Sequence, residues 1–321
     1  MRSCVALPIT EVSAMTSESM RKLREMRLTE FARAYEEQIE KPEIYAEMTF
    51  NERISIMIDR EYDARHDRHI KRLVKQASFP SSHAFLTDVE YFPDRHLDRD
   101  TIRTLSTNEY IRKKRNIIIL GATGSGKTFL ANAFGINACY AGLATWYVRM
   151  PDLFIQYSLE EEKGRSMEFL RRIGRYALLI IDEFLLVESN EAQQRILLEI
   201  MERRMNHGAM ILCSQIGIDG WHSRLGGGLL ADSILDRIIH GSYKIKIEGK
   251  TSMRQRHAEE LQFSFPESLW WWECPLSVDG SRHHRQLAYR AIRVALYIRL
   301  PGSLNGANTH LPLKNYFLII L

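Results

Sequence analysis

The sequence has few cysteines and no cluster of metal-binding residues. Its four cysteines, Cys4, Cys139, Cys213 and Cys274, lie far apart and form no CxxC or Cys/His motif. Isolated cysteines of this kind predict buried or free thiols in a reducing compartment. The spacing therefore argues against both a disulfide framework and a structural zinc site.

Long apolar runs and a strong excess of one charge are also missing. No stretch approaches the ~20 residues that a transmembrane helix needs. Residues 1–10 contain one arginine and an apolar stretch broken by Pro8, which makes a poor secretion signal. The formal net charge is only +4, so a nucleic-acid surface has to be a local patch. We therefore expect a soluble, cytoplasmic protein without a membrane partner.

Three zones of different texture follow one another along the 321 residues. The first zone, 15–100, is rich in charge and in helix formers, and is interpreted as a small helical domain with a linker. The second zone, 101–261, alternates short apolar runs with amphipathic stretches. The last zone, 262–321, has no helical or strand periodicity and is interpreted as an atypical tail, produced either by read-through in a wrong or fused reading frame or by decay of the element. Residues 1–14 are interpreted as an upstream extension.

Two sequence patterns predict helix starts. Thr49 and Glu52 have the spacing of a capping box, ahead of a long helix that is predicted to run to about Ala77. Ser106 and Glu109 repeat that spacing before a short helix. Between these two helices, residues 79–100 carry two prolines and little periodicity, which predicts a connecting loop.

The second zone predicts a parallel sheet. Short, nearly continuous apolar runs separated by helical stretches are typical of strands that are covered by helices on both faces. The fold class is therefore α/β. The predicted strands are residues 116–120, 145–148, 177–181, 210–213 and 243–247.

A glycine-rich segment follows the first predicted strand and opens a helix predicted over 129–139. It matches the phosphate-loop pattern GxxxxGK[ST] with Gly121, Ala122, Thr123, Gly124, Ser125, Gly126, Lys127 and Thr128. Such a loop surrounds phosphates with backbone N–H groups, while Lys127 holds the β- and γ-phosphates and Thr128 ligates Mg²⁺. A chance match is on the order of one in a hundred for a chain of this length. We therefore predict binding of ATP with Mg²⁺.

The third predicted strand ends in two acids, Asp182 and Glu183. Asp182 is expected to bind Mg²⁺, and Glu183 to orient and deprotonate the attacking water. An apolar run that ends in acids is common by itself. The acidic pair gains weight here because the number of residues between Lys127 and Asp182 is enough for a helix, a strand and a second helix. The pair predicts ATP hydrolysis.

Three further polar residues are candidates for contacts with the nucleotide, and two of them also have a second interpretation. Ser214 ends the fourth predicted strand, and is either a polar strand terminus or a contact for the γ-phosphate or the attacking water. Arg237 lies on an apolar helix. It is either a structural arginine paired with Asp236 or Asp232, or a finger that stabilises the transition state in a neighbouring subunit. Arg254 is a candidate nucleotide sensor.

A basic stripe recurs at helical spacing in the first zone. Most charged helix faces are simply solvated, but several cations opposed by one acid, Asp67, also suit DNA phosphates. We predict that this stripe contacts DNA, and the cluster at 112–115 allows the same two interpretations. The stripe consists of Arg65, Arg68, Lys71, Arg72 and Lys75.

Taken together, residues from about Met15 to Leu261 resemble the IstB family of ATP-binding proteins, which are encoded beside insertion-sequence transposases and are related to the DnaC helicase loader and the DnaA initiator. Apart from the phosphate loop, the resemblance depends on residues 26–28, 48–53, 59–62, 148–153, 213–216, 221–222 and 231–237. The chain departs from the family at 184–187, which read Phe-Leu-Leu-Val where many relatives carry a glycine soon after the acids.

The resemblance implies a fold, an activity and partners. The fold would be an AAA+ P-loop sheet covered by helices and preceded by a small helical domain. The protein would assemble on DNA as an ATP-dependent oligomer and activate or target a cognate transposase, with Ser214 as first sensor and Arg237 as the arginine finger. A DnaC-like helicase loader is the alternative, and a decayed product that hydrolyses nothing is the third hypothesis.

Overall fold

In the computed structural model of the protein, residues 9–249, 251–256 and 258 are described, with side chains from residue 17 onward. They belong to one compact unit, Met1–Gln262. The predicted tail, 262–321, lies outside the described residues, as does most of the predicted extension, 1–14. Those two assignments stay predictions.

The amino-terminal part consists of three helices, α1 (Ile9–Glu25), α2 (Thr29–Glu40) and α3 (Phe50–Gln76), with a short 3-10 turn before α3. The predicted capping box is present at the start of α3. The Glu52 N–H donates to Thr49 Oγ1 at 3.4 Å, and the Thr49 N–H donates to Glu52 Oε2 at 2.7 Å. The long helix and its first turn are therefore confirmed.

A buried carboxylate joins α2 to α3. Glu61 lies on α3 and is 5% exposed. Its Oε2 accepts the N–H groups of Glu30 and Phe31 at 2.9 and 3.2 Å. These N–H groups lack a partner within α2, and Leu28 at the N-cap has no side-chain oxygen to offer. Glu61 thus supplies the cap from the neighbouring helix.

The linker contains two short 3-10 turns, Leu86–Asp88 and Pro93–Arg95, and is followed by α4 (Arg99–Ser106) and α5 (Glu109–Arg112). The capping box predicted at Ser106 is wrong. Ser106 ends α4, and its hydroxyl donates to the Arg103 carbonyl at 2.7 Å. The chain then turns through Asn108 in a left-handed conformation, with φ of 61°.

The second zone forms a five-stranded parallel sheet. Its strands are β1 (Ile117–Gly121), β2 (Thr145–Arg149), β3 (Leu178–Asp182), β4 (Ala209–Ser214) and β5 (Tyr243–Ile247), in the order β2-β3-β4-β1-β5. Each predicted strand is confirmed to within one residue at each end. The connecting helices are α6 (Lys127–Tyr140), α7 (Met150–Glu162), α8 (Ser166–Arg175), α9 (Glu191–Arg204), α10 (Trp221–Arg224) and α11 (Gly228–Ile239).

Both faces of the sheet are buried. One face packs Ile118, Ile181 and Leu212 into a cluster with apolar residues of α8, α9 and α11. The other face packs Ile119 and Ile180 with residues of α6. Because parallel strands all end at the same edge, the carboxyl ends of β1, β3 and β4 meet there. That edge is where α/β sheets bind ligands. The architecture is a parallel α/β sheet with helices on both faces, with the glycine-rich segment after its first strand, and it is preceded by a helical region.

The end of α3 packs directly against this domain. The Ala77 carbonyl accepts the Tyr147 N–H of β2 at 2.8 Å. Leu73 and Ala77 form a buried cluster with Cys139 of α6. Because α6 begins at Lys127, the helical region contacts the same helix that carries the end of the phosphate loop.

Candidate functional site

The phosphate loop connects β1 to α6, as its sequence predicts. Gly124 and Gly126 have φ values of 76° and 93°, which side chains rarely adopt. A Cβ at Gly121 would lie 2.7 Å from the Ile247 carbonyl oxygen. Three of the loop glycines are therefore required by the backbone, and Gly126 is the N-cap of α6.

The loop lysine is buried among backbone carbonyls. Lys127 is 7% exposed, and its Nζ donates to the carbonyls of Gly121 and Ala122 at 2.7 and 2.8 Å. Burial lowers the pKa of the Lys127 ammonium, while Cys213 and the Asp182 carboxylate oppose that change. A partly desolvated cation at this place gains from an anionic ligand such as a phosphate.

The two predicted magnesium ligands touch each other. Thr128 Oγ1 donates to Asp182 Oδ2 at 2.6 Å. The same oxygen accepts the Tyr147 hydroxyl at 2.8 Å, and the Glu183 N–H donates to Oδ1 at 2.8 Å. Burial, and then the Asp182 carboxylate, raise the pKa of the Tyr147 phenol, so it stays protonated and donates. The sequence gives no signal for Tyr147, which reaches the site because β2 pairs with β3.

These residues fit a magnesium nucleotide. Mg²⁺ prefers oxygen ligands, and is usually held by one or two protein groups together with phosphates. Thr128 and Asp182 supply such oxygens, and no set of three His, Cys, Asp or Glu among the described residues forms a separate metal site. Ser125 Oγ is buried in the loop and has no hydrogen-bond partner among the described residues. It is a polar group still able to bind an anion.

The second acid begins an irregular loop. Glu183 and Leu185 both have φ of 55°, in the left-handed region. The Glu183 carboxylate is partly exposed, and its Oε2 lies 3.9 Å from an NH group of Arg149, at the end of β2. Arg149 also pairs with Asp152 at 2.8 Å. Sequence reasoning did not single out Arg149, whose position follows from the β2–β3 pairing.

Ser214 does not reach the phosphate loop. It is fully buried, and its hydroxyl donates to the Phe184 carbonyl at 2.8 Å. The next residue, Gln215, is exposed, and its Oε1 accepts the Thr123 hydroxyl of the loop at 2.6 Å. Successive side chains of a strand point in opposite directions. The polar pair at the end of β4 was therefore correctly located, but the contact with the loop is made by Gln215.

Arg254, the candidate nucleotide sensor, makes no hydrogen bond to the loop among the described residues. Its side chain is exposed and has no hydrogen bond or ion pair to any other described residue. Residues 253–256 form a helical turn, and the Met253 N–H donates to the Gly124 carbonyl at 2.9 Å. Positions 253 and 256 share a face of that turn. This face holds Arg256, which pairs with Asp94 of the linker.

Arg237 has neither of the acidic partners that the sequence suggested. It lies on α11, where one guanidinium NH donates to the Ser233 carbonyl at 2.7 Å and another to Glu202 of α9 at 3.1 Å. Asp232 and Asp236 instead pair with histidines. Its side chain is 26% exposed.

The structure divides the basic stripe on α3 into two groups. Arg65 and Arg68 bind the buried Glu61, with distances of 2.6 and 3.4 Å. Lys71 and Lys75 are exposed and make no hydrogen bond or ion pair to another described residue. Arg72 contacts the ring of His69 at 2.9 Å. The carboxyl-terminal part of the stripe therefore holds the cations that form no ion pair with another described residue.

No helix among the described residues is long and apolar enough to cross a membrane.

Comparison with solved structures returns replication proteins. AMPPCP-bound DnaA from Aquifex aeolicus is 19% identical, with a TM-score of 0.49 and coverage of 68% of this chain and 67% of that one. The DnaC helicase loader is 18% identical, with a TM-score of 0.42 and coverage of 49% and 94%.

The similar sequences are products of insertion sequences. The ATP-binding protein y4pL of Sinorhizobium fredii (strain NBRC 101917 / NGR234) is 33% identical over 73% of this chain and 95% of its own length. The IS1162 ATP-binding protein of Pseudomonas fluorescens is 34% identical over 63% and 87%. The profile of the IstB-like ATP binding protein family matches residues 21–261. The profile match covers most of the chain and agrees with these relatives, so the chain belongs to the family of IstB-like ATP binding proteins.

Proposed function

We propose that the protein is an ATP-dependent, DNA-binding helper of a transposase, and that ATP hydrolysis at the phosphate loop controls its assembly on DNA. The contact of Thr128 with Asp182, with Glu183 next in sequence, carries the enzymatic half of this proposal. The transposase half is supported by the insertion-sequence origin of the similar proteins. That origin favours a transposition helper over a helicase loader.

The chemistry divides among a few residues. Lys127 and the loop N–H groups bind the phosphates. Thr128 and Asp182 would hold Mg²⁺, which neutralises phosphate charge when bound. Glu183 orients a water molecule and takes its proton as the water oxygen bonds to the γ-phosphorus and ADP leaves. Gln215, bound to Thr123, is the polar side chain that we assign to the γ-phosphate or the attacking water.

Assembly requires a group that reaches a neighbouring subunit, and we retain Arg237 for that role. In the single chain its guanidinium is bound to Glu202. An ion pair at a surface contributes only about 0–1 kcal/mol. Arg237 could therefore leave the Glu202 carboxylate for a phosphate of the ATP bound to a second copy at little cost. The finger would then stabilise charge in the neighbour's transition state.

DNA contact is assigned to the stripe on α3. All five residues, Arg65, Arg68, Lys71, Arg72 and Lys75, contribute positive charge. Because Arg65 and Arg68 also serve Glu61, we assign the phosphate contacts chiefly to Lys71, Arg72 and Lys75. A few contacts per subunit support weak binding, which assembly strengthens.

The test uses Glu183→Gln, with Glu188→Gln as control, since Glu188 is an exposed acid of the same loop. Removing a general base should lower the hydrolysis rate by about 10²–10⁴-fold and spare ATP binding. The control should hydrolyse ATP at the wild-type rate. Hydrolysis at that rate by Glu183→Gln would show that Glu183 is not the base.

A second assay addresses the partner. Purified protein is added to the transposase encoded in the same element, and DNA strand transfer is measured with ATP. Wild-type protein should stimulate strand transfer, and Lys127→Ala should not, because its phosphate contact is lost. Equal strand transfer with and without the wild-type protein would contradict the helper function.

A further inference from the structure

A buried arginine of the linker contacts the phosphate loop. Arg95 lies in the turn Pro93–Arg95 and is 5% exposed. One NH₂ group of its guanidinium donates to the Ser125 carbonyl at 2.9 Å, and the other donates to the Glu90 carbonyl. Its Nε is buried and has no hydrogen-bond partner among the described residues. The Arg95 carbonyl in turn accepts the Glu248 N–H, just after β5, at 3.1 Å.

The contact is close enough to restrict the loop. A Cβ at Gly126 would lie 2.8 Å from the Arg95 guanidinium, and a Cβ at Gly124 would lie 2.8 Å from Ser252. Two glycines of the loop are thus covered from outside, one by the linker and one by the segment after β5. Neither could carry a side chain without displacing its neighbour.

The two covering segments are also joined to each other. Asp94 and Arg256 form an ion pair, and the Arg256 guanidinium lies 4.3 Å above the ring of Phe92. The Met253 N–H binds the Gly124 carbonyl at 2.9 Å. The linker, the loop and the segment after β5 are therefore held together by polar contacts that all pass through residues 92–95 or 252–256.

Burying a guanidinium is costly unless its charge is compensated. Burial lowers the pKa of Arg95, and the neighbouring Arg256 adds to that effect, while Glu90 and Asp94 oppose it. An apolar residue would fill the same space at smaller cost. The cost is explained if the cation acts on the loop, whose Ser125 and Gly126 belong to the segment that surrounds phosphates.

We propose that Arg95 is a positioning residue that fixes the phosphate loop through the Ser125 carbonyl, and that it couples nucleotide binding to the order of the linker leading from the amino-terminal helices. ATP orders the loop, the ordered loop holds Arg95, and Arg95 holds residues 90–96. By thermodynamic linkage, ordering the linker raises the affinity for ATP by the same factor by which bound ATP favours the ordered linker. The inference rests on ATP binding at the loop, and on neither DNA binding nor the transposase.

The chain offers a matched control. Arg204 is 1% exposed, and its guanidinium donates to backbone carbonyls, as that of Arg95 does. These carbonyls belong to Ile173, Tyr176, Ala177 and Ala209, around the starts of β3 and β4 and away from the loop. Replacing either arginine by lysine removes buried hydrogen bonds and keeps the charge.

The experiment compares Arg95→Lys with Arg204→Lys in the full chain. Both variants should melt at a lower temperature than wild type. Only Arg95→Lys should bind ATP more weakly, by about tenfold, the effect expected from one charged hydrogen bond to the loop. A fluorescent ATP analogue measures the affinity. Wild-type affinity in a folded Arg95→Lys overturns the proposal.

Hydrogen exchange supplies a second measurement, made first on the wild-type protein and then on both variants. ATP should slow exchange at the Arg95 N–H, which binds the Phe92 carbonyl at 3.0 Å, and at the Glu248 N–H. Arg204→Lys should retain this protection, and Arg95→Lys should lose it. If ATP protects the loop and leaves both linker contacts unchanged, the coupling is refuted. Protection in a protein that neither binds DNA nor stimulates transposition would leave Arg95 in its role and refute only the helper function.

Discussion

Two local preferences conflict at Leu185, directly after the proposed catalytic acid. Its φ of 55° puts a leucine in the left-handed region, which costs about 1–2 kcal/mol for a residue with a side chain. The same side chain is fully buried, in the core cluster that includes Trp221 and Leu225. Truncating a buried leucine costs about 2–5 kcal/mol. Burial therefore outweighs strain, which explains a leucine where glycine would relax the backbone.

We predict that Leu185→Gly destabilises the protein by up to about 4 kcal/mol, because the lost packing exceeds the strain that is relieved. Urea unfolding measures the change. Leu186→Gly, at the exposed neighbouring position, should cost less. A more stable Leu185→Gly would mean that the backbone strain dominates.

Candidate site residues could be located from sequence where they lie within one short segment. The phosphate loop and the pair Asp182–Glu183 are of this kind, and the structure brings Thr128 and Asp182 together as expected. Gln215 was missed because the strand end had to be known to one residue before its direction could be assigned. Arg95 and Tyr147 were missed because their partners lie 30 and 35 positions away, and no local pattern records such contacts.

Whole elements were easier to predict than their ends. The five strands follow from continuous apolar runs, since both faces of the sheet are buried. The capping box at Thr49 formed and the one at Ser106 did not, although both have the same spacing. The difference is tertiary: α4 extends through Ser106, and the turn at Asn108 is buried against α6. Spacing alone does not report that packing.

Helix α6 depends on a glycine in its interior. A Cβ at Gly135 would lie 2.5 Å from the Phe79 ring and 2.7 Å from Ile180. At an unhindered helix position, a change from glycine to alanine stabilises the helix by about 1 kcal/mol. At Gly135 the added methyl group would overpack the core, which costs about 1–3 kcal/mol. We predict net destabilisation, measured as a lower melting temperature. Gly174→Ala in α8, where nothing lies within 4 Å of the added Cβ, should be stabilising. Stabilisation by both changes would show that Phe79 yields without cost.

At the scale of the whole described unit, charge is distributed unevenly along α3. Arg65 and Arg68 form ion pairs with Glu61 on the same helix. Lys71 and Lys75, one to two turns further on, stand beside the contact between α3 and α6. Because that contact joins the helical region to the helix of the phosphate loop, a ligand on these lysines would lie near the junction of the two parts.

The DNA interface is tested by Lys71→Ala/Lys75→Ala. Loss of two phosphate contacts per subunit should reduce the slope of log affinity against log salt by about 1.8 per bound subunit. ATP affinity should be unchanged, since neither lysine touches the phosphate loop. Filter binding across a salt series, with and without ATP, measures both effects on DNA.

The control removes the same charge elsewhere. Arg171 and Arg175 are exposed on α8 and make no ion pair to another described residue, so Arg171→Ala/Arg175→Ala lowers the net charge equally. If bulk charge attracted the DNA, both double variants would bind it equally weakly. If α3 carries the interface, the control keeps its salt slope and the lysine variant loses part of it.

Because assembled subunits add their contacts at high effective concentration, the difference between the two variants should be larger in ATP than in ADP. If the lysine variant keeps the wild-type salt slope in both ATP and ADP, α3 is a solvated face and DNA is bound by another surface.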